Sequence, residues 1–346
     1  MTDRRYKTIL QNFIADLKGE SIMELHAVNV GYGDAFFFTW EGKSLLLDTG
    51  SGLDNEYLGH PERTDIVSFL KEKQVNRIDF LIISHIHEDH VGKLKEVLEQ
   101  FSVGKLWIPK GFMTFQKDVP RVDIELSKNS SKYFYKSLQD FGEALVYCKE
   151  KGIPIDTLAQ GDSIELDGLR IEVLGASDSI LEEFLSLYAQ LKECREDSQK
   201  EGIIEKMDAM SNHTCMLLKI RYKALSGLFC GDNTPKHWDE AIQEKLSDIT
   251  WIKIPHHGQI DSLSEDFMRR MPLKFCLTTA SSERRYNSAN PEVYKALRQW
   301  AKEDKRKLKV LFTDPSTEYS TFSEVKYGNR SICFSIGEEL RYQYEK

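Results

Sequence analysis

The sequence predicts an α/β fold with two β-sheets and helices outside them. Strand-like segments come first in the chain, a strand–helix succession follows, and both patterns then occur a second time. This repetition favours two sheets with outer helices over one doubly wound sheet. The chain has 346 residues and no obvious linker, repeat or low-complexity segment, so we predict one domain, residues 1–346.

The first half of the chain begins with an amphipathic helix, predicted over residues 4–18 because its apolar side chains share one face. Turn residues at Gly31–Asp34 and Glu41–Gly42 then separate strand-like segments. The elements predicted in this half are strands at 23–30, 35–40 and 44–50, a helix at 62–73, a buried strand at 77–84, a helix from His90 to about 101 and a strand at 105–109.

The second half contains a hairpin whose turn is marked by Asp167-Gly168. Helical segments near 111–151 and 178–210 interrupt the strand pattern, and we interpret them as insertions that cap a cleft or bind a protein partner. The remaining predicted elements are a helix at 130–151, hairpin strands within 162–176, helical structure over 178–209, strands at 214–222, 227–232, 250–255 and 275–280, a helix at 291–303, and strands at 309–314 and 331–336.

Composition excludes several classes of function. The net charge of −8 and the pI near 5.7 argue against a broad electrostatic grip on nucleic acid, although 302–309 supplies a local basic run. No apolar run approaches the roughly 20 residues of a membrane span, and the N-terminus lacks the apolar core of a signal peptide. The six cysteines form no CxxC pair, which is typical of reduced thiols in a cytoplasmic protein.

The segment "SHIHEDH" concentrates histidine and carboxylate side chains directly after the apolar strand at 77–84. His85 and His87 are two residues apart and so face one side of an extended chain, while Asp89 and His90 follow in the turn to a helix. Imidazole and carboxylate donors suit zinc and similar divalent ions, and donors in this number can serve two ions. The alternative is a polar loop or a set of helix-capping histidines.

The pattern His85-x-His87-x-Asp89-His90 resembles the signature of the metallo-β-lactamase fold. "VNVGYGDAFFFTWEGKSLLLDTG", "LFCGDN", "IKIPHHG" and "LFTD" resemble motifs of its ComEC-like branch, found at the C-terminus of DNA-uptake channels. The likeness covers roughly residues 22–336 apart from the insertions. It implies a four-layer αββα sandwich that binds two divalent metal ions, with zinc as the expected metal and manganese as the alternative.

The resemblance implies a role for each matching residue. Asp232 in "CGDN" would bridge the two ions; its alternative role is to cap a helix. His257 is favoured over His256 as a ligand, and His256 would then orient the substrate or donate a proton. Asp89, Asp232 and His256 are the candidate catalytic residues. The predicted metal ligands are His85, His87, Asp89, His90, His213, Asp232 and His257.

Three further positions are interpreted from their motifs. His213 lies where the fold family has a third histidine on the first metal, but the ComEC-like branch has asparagine and serine nearby, and Asn212 also fits that pattern. Asp48 in "LLLDTG" and Asp34 in "GYGD" are expected to hold ligands or loops by hydrogen bonds without touching metal.

One loop departs from the family pattern. Related proteins carry a histidine in a late "YGHP"-like loop, whereas "RRYNSANPEVY" has Ser288 or Asn290 there. The adjacent Arg284 and Arg285 could bind an anionic, phosphate-containing substrate, or they could be a solvated surface pair. We therefore take Arg284, Arg285, Ser288 and Asn290 as candidate substrate-binding residues.

These observations predict a metal-dependent hydrolase, a phosphodiesterase or nuclease that attacks with a hydroxide bridging two metal ions. The expected substrate is anionic and contains phosphate, with nucleotides and nucleic acid as candidates. One alternative is a carbonyl ester, lactone or amide hydrolase, which uses the same chemistry. The other is a metal-stabilised binding or regulatory module without catalysis.

Overall fold

The computed structural model of the chain describes residues 21–116, 119–223 and 225–346, so the helix predicted over 4–18 lies outside the described residues. Strands β1 to β15 comprise Met23–Val28, Phe36–Trp40, Lys43–Leu47, Arg77–Ile82, Ser102–Pro109, Ile155–Leu158, Ser163–Leu166, Leu169–Gly175, Leu217–Tyr222, Leu225–Phe229, Ile249–Lys253, Phe275–Thr278, Lys309–Phe312, Ser331–Ile336 and Leu340–Glu345. Helices α1 to α9 comprise Ile66–Glu72, Glu88–Val91, Leu94–Gln100, Asn129–Lys151, Asp178–Glu193, Asp197–Ser211, Glu240–Gln243, Glu265–Arg270 and Pro291–Glu303.

The strands form two mixed sheets. The first sheet has the order β15-β14-β1-β2-β3-β4-β5-β6, and the second has the order β13-β12-β11-β10-β9-β8-β7. In the first sheet β3 to β6 run parallel, and in the second β10 to β13 do so, while the remaining neighbours are antiparallel. The predicted fold class is confirmed.

Three hydrophobic clusters separate the layers. Side chains from the inner faces of both sheets, among them Phe36, Leu218 and Trp251, form the cluster between the sheets. A second cluster covers the outer face of the first sheet, and a third, under α8 and α9, covers the second sheet. This alternation of apolar layers is what the strand periodicity requires, because each sheet must bury both faces.

The two insertions belong to the helical layer outside the first sheet. Phe134 and Phe141 of α4, Phe184 of α5, and Ile204 and Met207 of α6 are buried together with side chains of that sheet. The predicted helical segment at 178–209 is two helices, α5 and α6, that pack on each other. Among the described residues, no helix combines the length and hydropathy that membrane crossing requires.

Element bounds differ from the predictions where local capping intervenes. The helix predicted at 62–73 begins at Ile66, because the Asp65 side chain accepts a hydrogen bond from the Ser68 amide and caps it. The helix predicted from His90 is divided into the short α2 and the following α3. Strands β6 and β15 were not predicted.

The parallel strands of both sheets end at the same edge of the sandwich. Asp48 follows β3, and the histidine-rich segment follows β4 in the first sheet. Asp232 follows β10, and His256-His257 follow β11 in the second sheet. Because carboxyl ends of parallel strands are where polar groups of α/β proteins meet, the fold itself brings these distant motifs together.

Candidate metal centre

The segment after β4 positions its histidines by a short extended stretch followed by one helical turn. His87 has extended backbone angles and precedes α2, which carries Asp89 and His90. The Nε2 atom of His85 lies 3.3 Å from Nδ1 of His87, so both rings present a nitrogen to the same point. His85 and His90 are fully buried, which removes water as a permanent partner for their nitrogens.

The two motifs from the second sheet enter through tight turns. Gly231, with a φ of 47°, turns the chain after β10 and places Asp232 against the histidines. His256 and His257 both adopt left-handed backbone angles, with φ of 48° and 51°. Non-glycine residues hold this conformation at a cost of about 1–3 kcal/mol each and cluster at functional sites. The turn sends the two imidazoles in different directions.

Asp89, His90, Asp232 and His257, here called the second group, bring four ligand atoms together. His257 Nε2 lies 2.9 Å from Asp89 Oδ2 and 3.1 Å from Asp232 Oδ1. His90 Nε2 lies 3.5 and 3.4 Å from the same two oxygens. Donors bound to one tetrahedral ion at 2.0–2.2 Å are roughly 3.3–3.6 Å apart, so the second group has nearly the spacing that zinc requires.

His85, His87 and Asp232, here called the first group, form an adjacent cluster. His85 Nε2 lies 3.9 Å from Asp232 Oδ2, whereas Oδ1 of the same carboxylate faces His90 and His257. Asp232 therefore offers one oxygen to each group. This is the arrangement expected of a carboxylate that bridges two ions, and the ligand roles themselves stay predictions.

The donor atoms of the cluster are arranged to bind metal ions rather than to form hydrogen bonds with one another. Buried polar atoms normally have hydrogen-bond partners. Within the described part of the chain, these buried atoms have none of acceptable geometry: His87 Nε2, Asp89 Oδ2, His90 Nε2, Asp232 Oδ1 and His257 Nε2. Four of these five atoms belong to the second group and point at one another, which is the pattern a bound cation would satisfy; the fifth, His87 Nε2, instead faces the Asp208 carboxylate at 3.4 Å.

The electrostatics of the second group favour the binding of positive charge. Burial alone would lower the pKa of His90, but Asp89 and Asp232 raise it well above its usual value. Burial would also lower the pKa of His257, but Asp232 raises it to about 9. Burial would raise the pKa of Asp232, yet His257 and His90 hold it well below its usual range. A metal ion would thus exchange for protons at this site.

Asp48 supports the second group through hydrogen bonds. Its Oδ2 accepts from His90 Nδ1 at 2.8 Å and from the Ser84 hydroxyl at 2.7 Å, and its Oδ1 accepts from the Ser84 amide at 2.7 Å. A carboxylate on Nδ1 leaves Nε2 as the ligand nitrogen and fixes the ring. The role of Asp48 in orienting a metal ligand stays a prediction.

Asp34 lies next to the second group without joining it. Its Oδ2 is 2.7 Å from the Nζ atom of the fully buried Lys253, and its Oδ1 accepts a hydrogen bond from Thr279. The preceding Gly33 has a φ of 142°, and a Cβ atom there would collide with the carbonyl oxygen of Asp89. The glycine thus permits the loop of Asp34 to approach α2 closely.

His213 does not reach the first group, which contradicts its predicted role as a third ligand. Its ring packs on His237, with 3.9 Å between ring centroids, and His213 is absent from the groups of converging ligand atoms. Burial, followed by His237 and Lys236, lowers the pKa of His213 to about 4, so it remains neutral. The preceding Asn212 instead faces the site, and its Nδ2 lies 3.1 Å from His256 Nε2.

His256 lies beside the cluster rather than in it. Its Nδ1 is 3.1 Å from Asp261 Oδ1, and its Nε2 is 2.9 Å from Gln259 Nε2. The side chain is 17% exposed, whereas that of His257 is fully buried among the ligand atoms. His257 thus lies among the converging ligand atoms and His256 outside them, while the role of His257 as a metal ligand stays a prediction.

The predicted substrate-binding loop is engaged in its own contacts. Arg284 forms an ion pair with Glu318 at 3.0 Å, and Arg285 pairs with the buried Glu56. The Asn290 side chain accepts from the Glu292 amide and caps α9. Both guanidinium groups are thus ion-paired and the Asn290 side chain caps a helix, and a role of these residues in substrate binding stays a prediction.

Ser288 is fully buried, and within the described residues its hydroxyl has no hydrogen-bond partner. Its role in substrate binding stays a prediction. The next two residues attach the loop to the cluster, because the Ala289 amide donates to the His257 carbonyl and the Asn290 amide donates to the Gly258 carbonyl, both at 2.8 Å.

Several residues near the site escaped the sequence analysis. Lys253 interrupts the apolar run "TWIKIP", and a lysine inside a buried strand is a signal that could have been used. Tyr32 packs on His257, with 4.4 Å between ring centroids, and carried no separate signal inside "GYGD". Asp208 lies on α6, where its contact with His87 depends on tertiary packing.

Comparison with known proteins gives one family match and several distant relatives. Residues 28–175 match the family described as "Metallo-beta-lactamase superfamily". The chain is 22% identical over 327 residues to ComE operon protein 3 of Bacillus subtilis (strain 168). The match covers 90% of this chain and 34% of the relative, so the chain spans about a third of that protein.

Solved structures with similar folds are more distant in sequence. Igni18, a metallo hydrolase from Ignicoccus hospitalis, is 13% identical with a TM-score of 0.45, covering 90% of this chain and 99% of that one. YhfI from Bacillus subtilis, a metallo-beta-lactamase fold protein, is 12% identical with a TM-score of 0.45, covering 84% and 96%.

Proposed function

We propose that this chain, whose residues 28–175 match the metallo-β-lactamase superfamily, is a metal-dependent phosphodiesterase whose substrates are nucleotides or nucleic acid. The observation that carries the proposal is the shared carboxylate of Asp232, whose two oxygens face two adjacent sets of ligand atoms. A pair of divalent ions suits in-line displacement at phosphorus.

The donor set of each group fits an ion. His85, His87 and Asp232 would hold one, and Asp89, His90, His257 and Asp232 the other. Such ions lower the pKa of water to about 7 and neutralise charge that develops on a phosphoryl group. Asp48 and Asp34 would orient His90 and the adjoining loop through the hydrogen bonds described above.

His256 is the candidate proton donor for the leaving group. It lies beside the second group, is partly exposed, and has Asp261 on its Nδ1. A carboxylate on one imidazole nitrogen orients the ring, which leaves the other nitrogen for proton transfer. The Nε2 atom faces Asn212 and Gln259, which would hold the ring toward the substrate.

An exposed aromatic side chain beside the proposed metal centre supports a substrate that contains a planar base. Tyr286 is 59% exposed and packs edge-on against Tyr32, with 5.1 Å between ring centroids. Tyr32 in turn packs against the ligand candidate His257. An exposed ring so close to the proposed metal centre is a platform on which a base could stack.

The basic run at 302–309 does not support a nucleic-acid track to this site. Arg306, Lys307 and Lys309 line a groove near the start of β12 and β13, together with Lys274 and Phe275. The proposed metal centre lies at the other, carboxyl ends of the parallel strands of that sheet. Residues that contact the substrate near the metal centre must therefore lie in the loops around it.

The test combines metal analysis with turnover on defined substrates. We expect about two equivalents of zinc or manganese per chain, and hydrolysis of bis-p-nitrophenyl phosphate and thymidine 5′-monophosphate p-nitrophenyl ester. His87→Ala or Asp232→Ala should lower kcat/KM by roughly a thousandfold or more, the scale on which loss of a catalytic group acts, with unchanged far-UV circular dichroism.

His213→Ala is the matched control, because this histidine lies outside both groups; it should retain both ions and most activity. Full metal occupancy without turnover of any phosphoester would contradict the proposal. Turnover of p-nitrophenyl acetate or a lactone alone would favour the carbonyl ester hydrolase instead.

A further inference from the structure

We propose that Asp208, on an insertion helix, is a positioning residue that orients His87 for the first metal ion. This inference rests on the metal-binding part of the proposed function. The Asp208 carboxylate Oδ1 lies 3.4 Å from Nε2 of His87. The His87 side chain is 17% exposed and that of Asp208 is 16% exposed, so their contact is largely shielded from water.

The two nitrogens of His87 have different surroundings. Nδ1 faces His85 Nε2 at 3.3 Å, on the side of the first group, and Nε2 faces Asp208. Because the two nitrogens of an imidazole point in divergent directions, a group at Nε2 cannot share an ion with Nδ1. Asp208 is accordingly absent from the converging ligand atoms. It would accept the Nε2 proton and leave Nδ1 free to bind metal.

Asp208 is itself held in place by both insertions. It lies on α6, which is anchored by the buried side chains of Ile204 and Met207. The Ser131 hydroxyl of α4 donates to Asp208 Oδ2 at 3.2 Å. At the end of α6 the Ser211 hydroxyl donates to the Ile86 carbonyl at 2.9 Å, which ties the helix directly to the histidine segment.

The ring of His87 is also contacted by the first insertion. Phe134 of α4 packs against it edge-on, at 5.9 Å between ring centroids and an interplanar angle of 88°. His87 is thus fixed by Asp208 at one nitrogen and by Phe134 at the ring. The insertions thus line one side of the first group. This role differs from the two predicted for them, which were to cap a cleft or to bind a protein partner.

This support matters more at the first group than at the second. Among the residues that the structure describes, the first group has three candidate protein ligands and the second has four. With fewer ligands, the affinity for an ion depends more strongly on the orientation of each. Loss of a carboxylate that orients a metal-bound histidine typically lowers metal affinity about 10- to 100-fold.

The experiment is a zinc titration of the full-length apoprotein against a chromophoric chelator, without substrate. Asp208→Ala should weaken one of the two zinc sites about 10- to 100-fold and leave the other unchanged. Asp208→Asn, which keeps an acceptor oxygen but no charge, should lose less. Glu205→Gln is the matched control, because Glu205 lies on the same helix and pairs with Lys128.

A double-mutant cycle separates positioning from a general structural role. If Asp208 acts through His87, Asp208→Ala should weaken zinc binding in the wild type but cause no further loss in a His87→Ala background. Side-chain ¹⁵N spectra of the zinc-loaded protein should show His87 as the Nε2–H tautomer. If Asp208→Ala does not fold, Asp208→Asn serves in the same cycle.

The outcomes distinguish this inference from the proposed function. Wild-type affinity at both sites in a folded Asp208→Ala protein would overturn the inference alone, as would equal losses with and without His87. Zinc binding that depends on Asp208 in a protein without phosphodiesterase turnover would support the inference and overturn the proposed substrate class. A wild-type chain that binds no zinc would overturn both.

Discussion

Asp48 joins the strand end of β3 to the segment that carries His85, His87 and His90. One carboxylate accepts hydrogen bonds from the Ser84 amide, the Ser84 hydroxyl and His90 Nδ1. It does so from a left-handed backbone, with a φ of 57°. Aspartate and asparagine tolerate this conformation better than other non-glycine residues, so the side chain and the backbone angle agree.

Asp48→Asn should lower the zinc affinity of the second group about 10- to 100-fold. Asparagine keeps the backbone conformation, but its amide nitrogen cannot accept a proton from His90 or Ser84. Zinc competition titration measures the change. Asp65→Asn, which keeps a capping oxygen at α1 far from the cluster, serves as control, and unchanged affinity in Asp48→Asn would show that His90 needs no such support.

At this scale, the sequence identified residues whose role depends on local spacing. The positions of His85, His87, Asp89 and His90 after an apolar strand were sufficient to bring them together in the prediction. The sequence did not identify contacts that depend on long-range packing. His213 turns to His237, and Arg284 turns to Glu318, and neither partner could be inferred from neighbouring residues.

Strand β15 illustrates how an element at the sheet edge is secured. Its residue Glu345 accepts hydrogen bonds from Ser331 and faces His26 Nδ1 at 3.1 Å and Lys73 Nζ at 3.0 Å. Burial would raise the pKa of Glu345, but the contacts with His26, Ser331 and Lys73 lower it to about 2. The ionised carboxylate thus connects β15 to β1, β14 and α1.

Glu345→Gln should reduce the free energy of unfolding by about 1–2 kcal/mol at pH 7. A carboxyl group whose pKa is depressed in the folded state stabilises the protein above its unfolded pKa of 4.5, and this stabilisation is lost as the pH falls toward about 2. Urea unfolding at pH 7, 4.5 and 3 should therefore show a difference that shrinks with acidification.

Glu339→Gln is the control for the Glu345 variant, because Glu339 is 75% exposed and precedes the same strand. A Glu345→Gln difference that stays constant between pH 7 and 3 would show that the stabilisation is not ionic.

The elements themselves were largely predictable. Long amphipathic helices such as α4, and hairpins with an Asp-Gly turn, have strong local signals. Strand β15 was missed because the segment "LRYQYE" is half-polar and is stabilised by pairing with β14 across the sheet. The division of the 178–209 segment into two helices was also missed, since no proline or glycine marks the break at residues 194–196.

For the whole molecule, Lys253 and Asp34 join the two sheets beside the metal centre. Lys253 ends β11 in the second sheet, and Asp34 lies between β1 and β2 of the first. Their side chains are 2.7 Å apart and at most 1% exposed. Lys253 also donates to the Gly231 carbonyl at 2.8 Å, next to Asp232.

Lys253→Met should destabilise the protein by about 3–5 kcal/mol, because it leaves the Asp34 carboxylate buried without its cation. Urea unfolding at pH 7 measures the loss. The double variant Lys253→Met, Asp34→Asn should recover part of it, since no unpaired charge remains. A loss in the double variant equal to the sum of both single losses would show that the two residues do not interact.

The architecture was predictable because strand and helix periodicities and the placement of motifs at strand ends agree with one another. The residues that the insertions place beside the site could not be predicted, because their position depends on how the insertion helices pack. Asp208 is separated from His87 by the whole of α4 and α5, and only the folded layer of helices brings them within 3.4 Å.

Asp232 and His257 come from one sheet, and His85 to His90 come from the other. An ion held between them would cross-link the two halves of the sandwich, much as a disulfide would, but reversibly. Separating the sheets would then require ligands to leave the ion first, which raises the barrier to unfolding. The supply of metal in the surroundings would thereby set how long the folded chain survives proteolysis, quite apart from any reaction it performs.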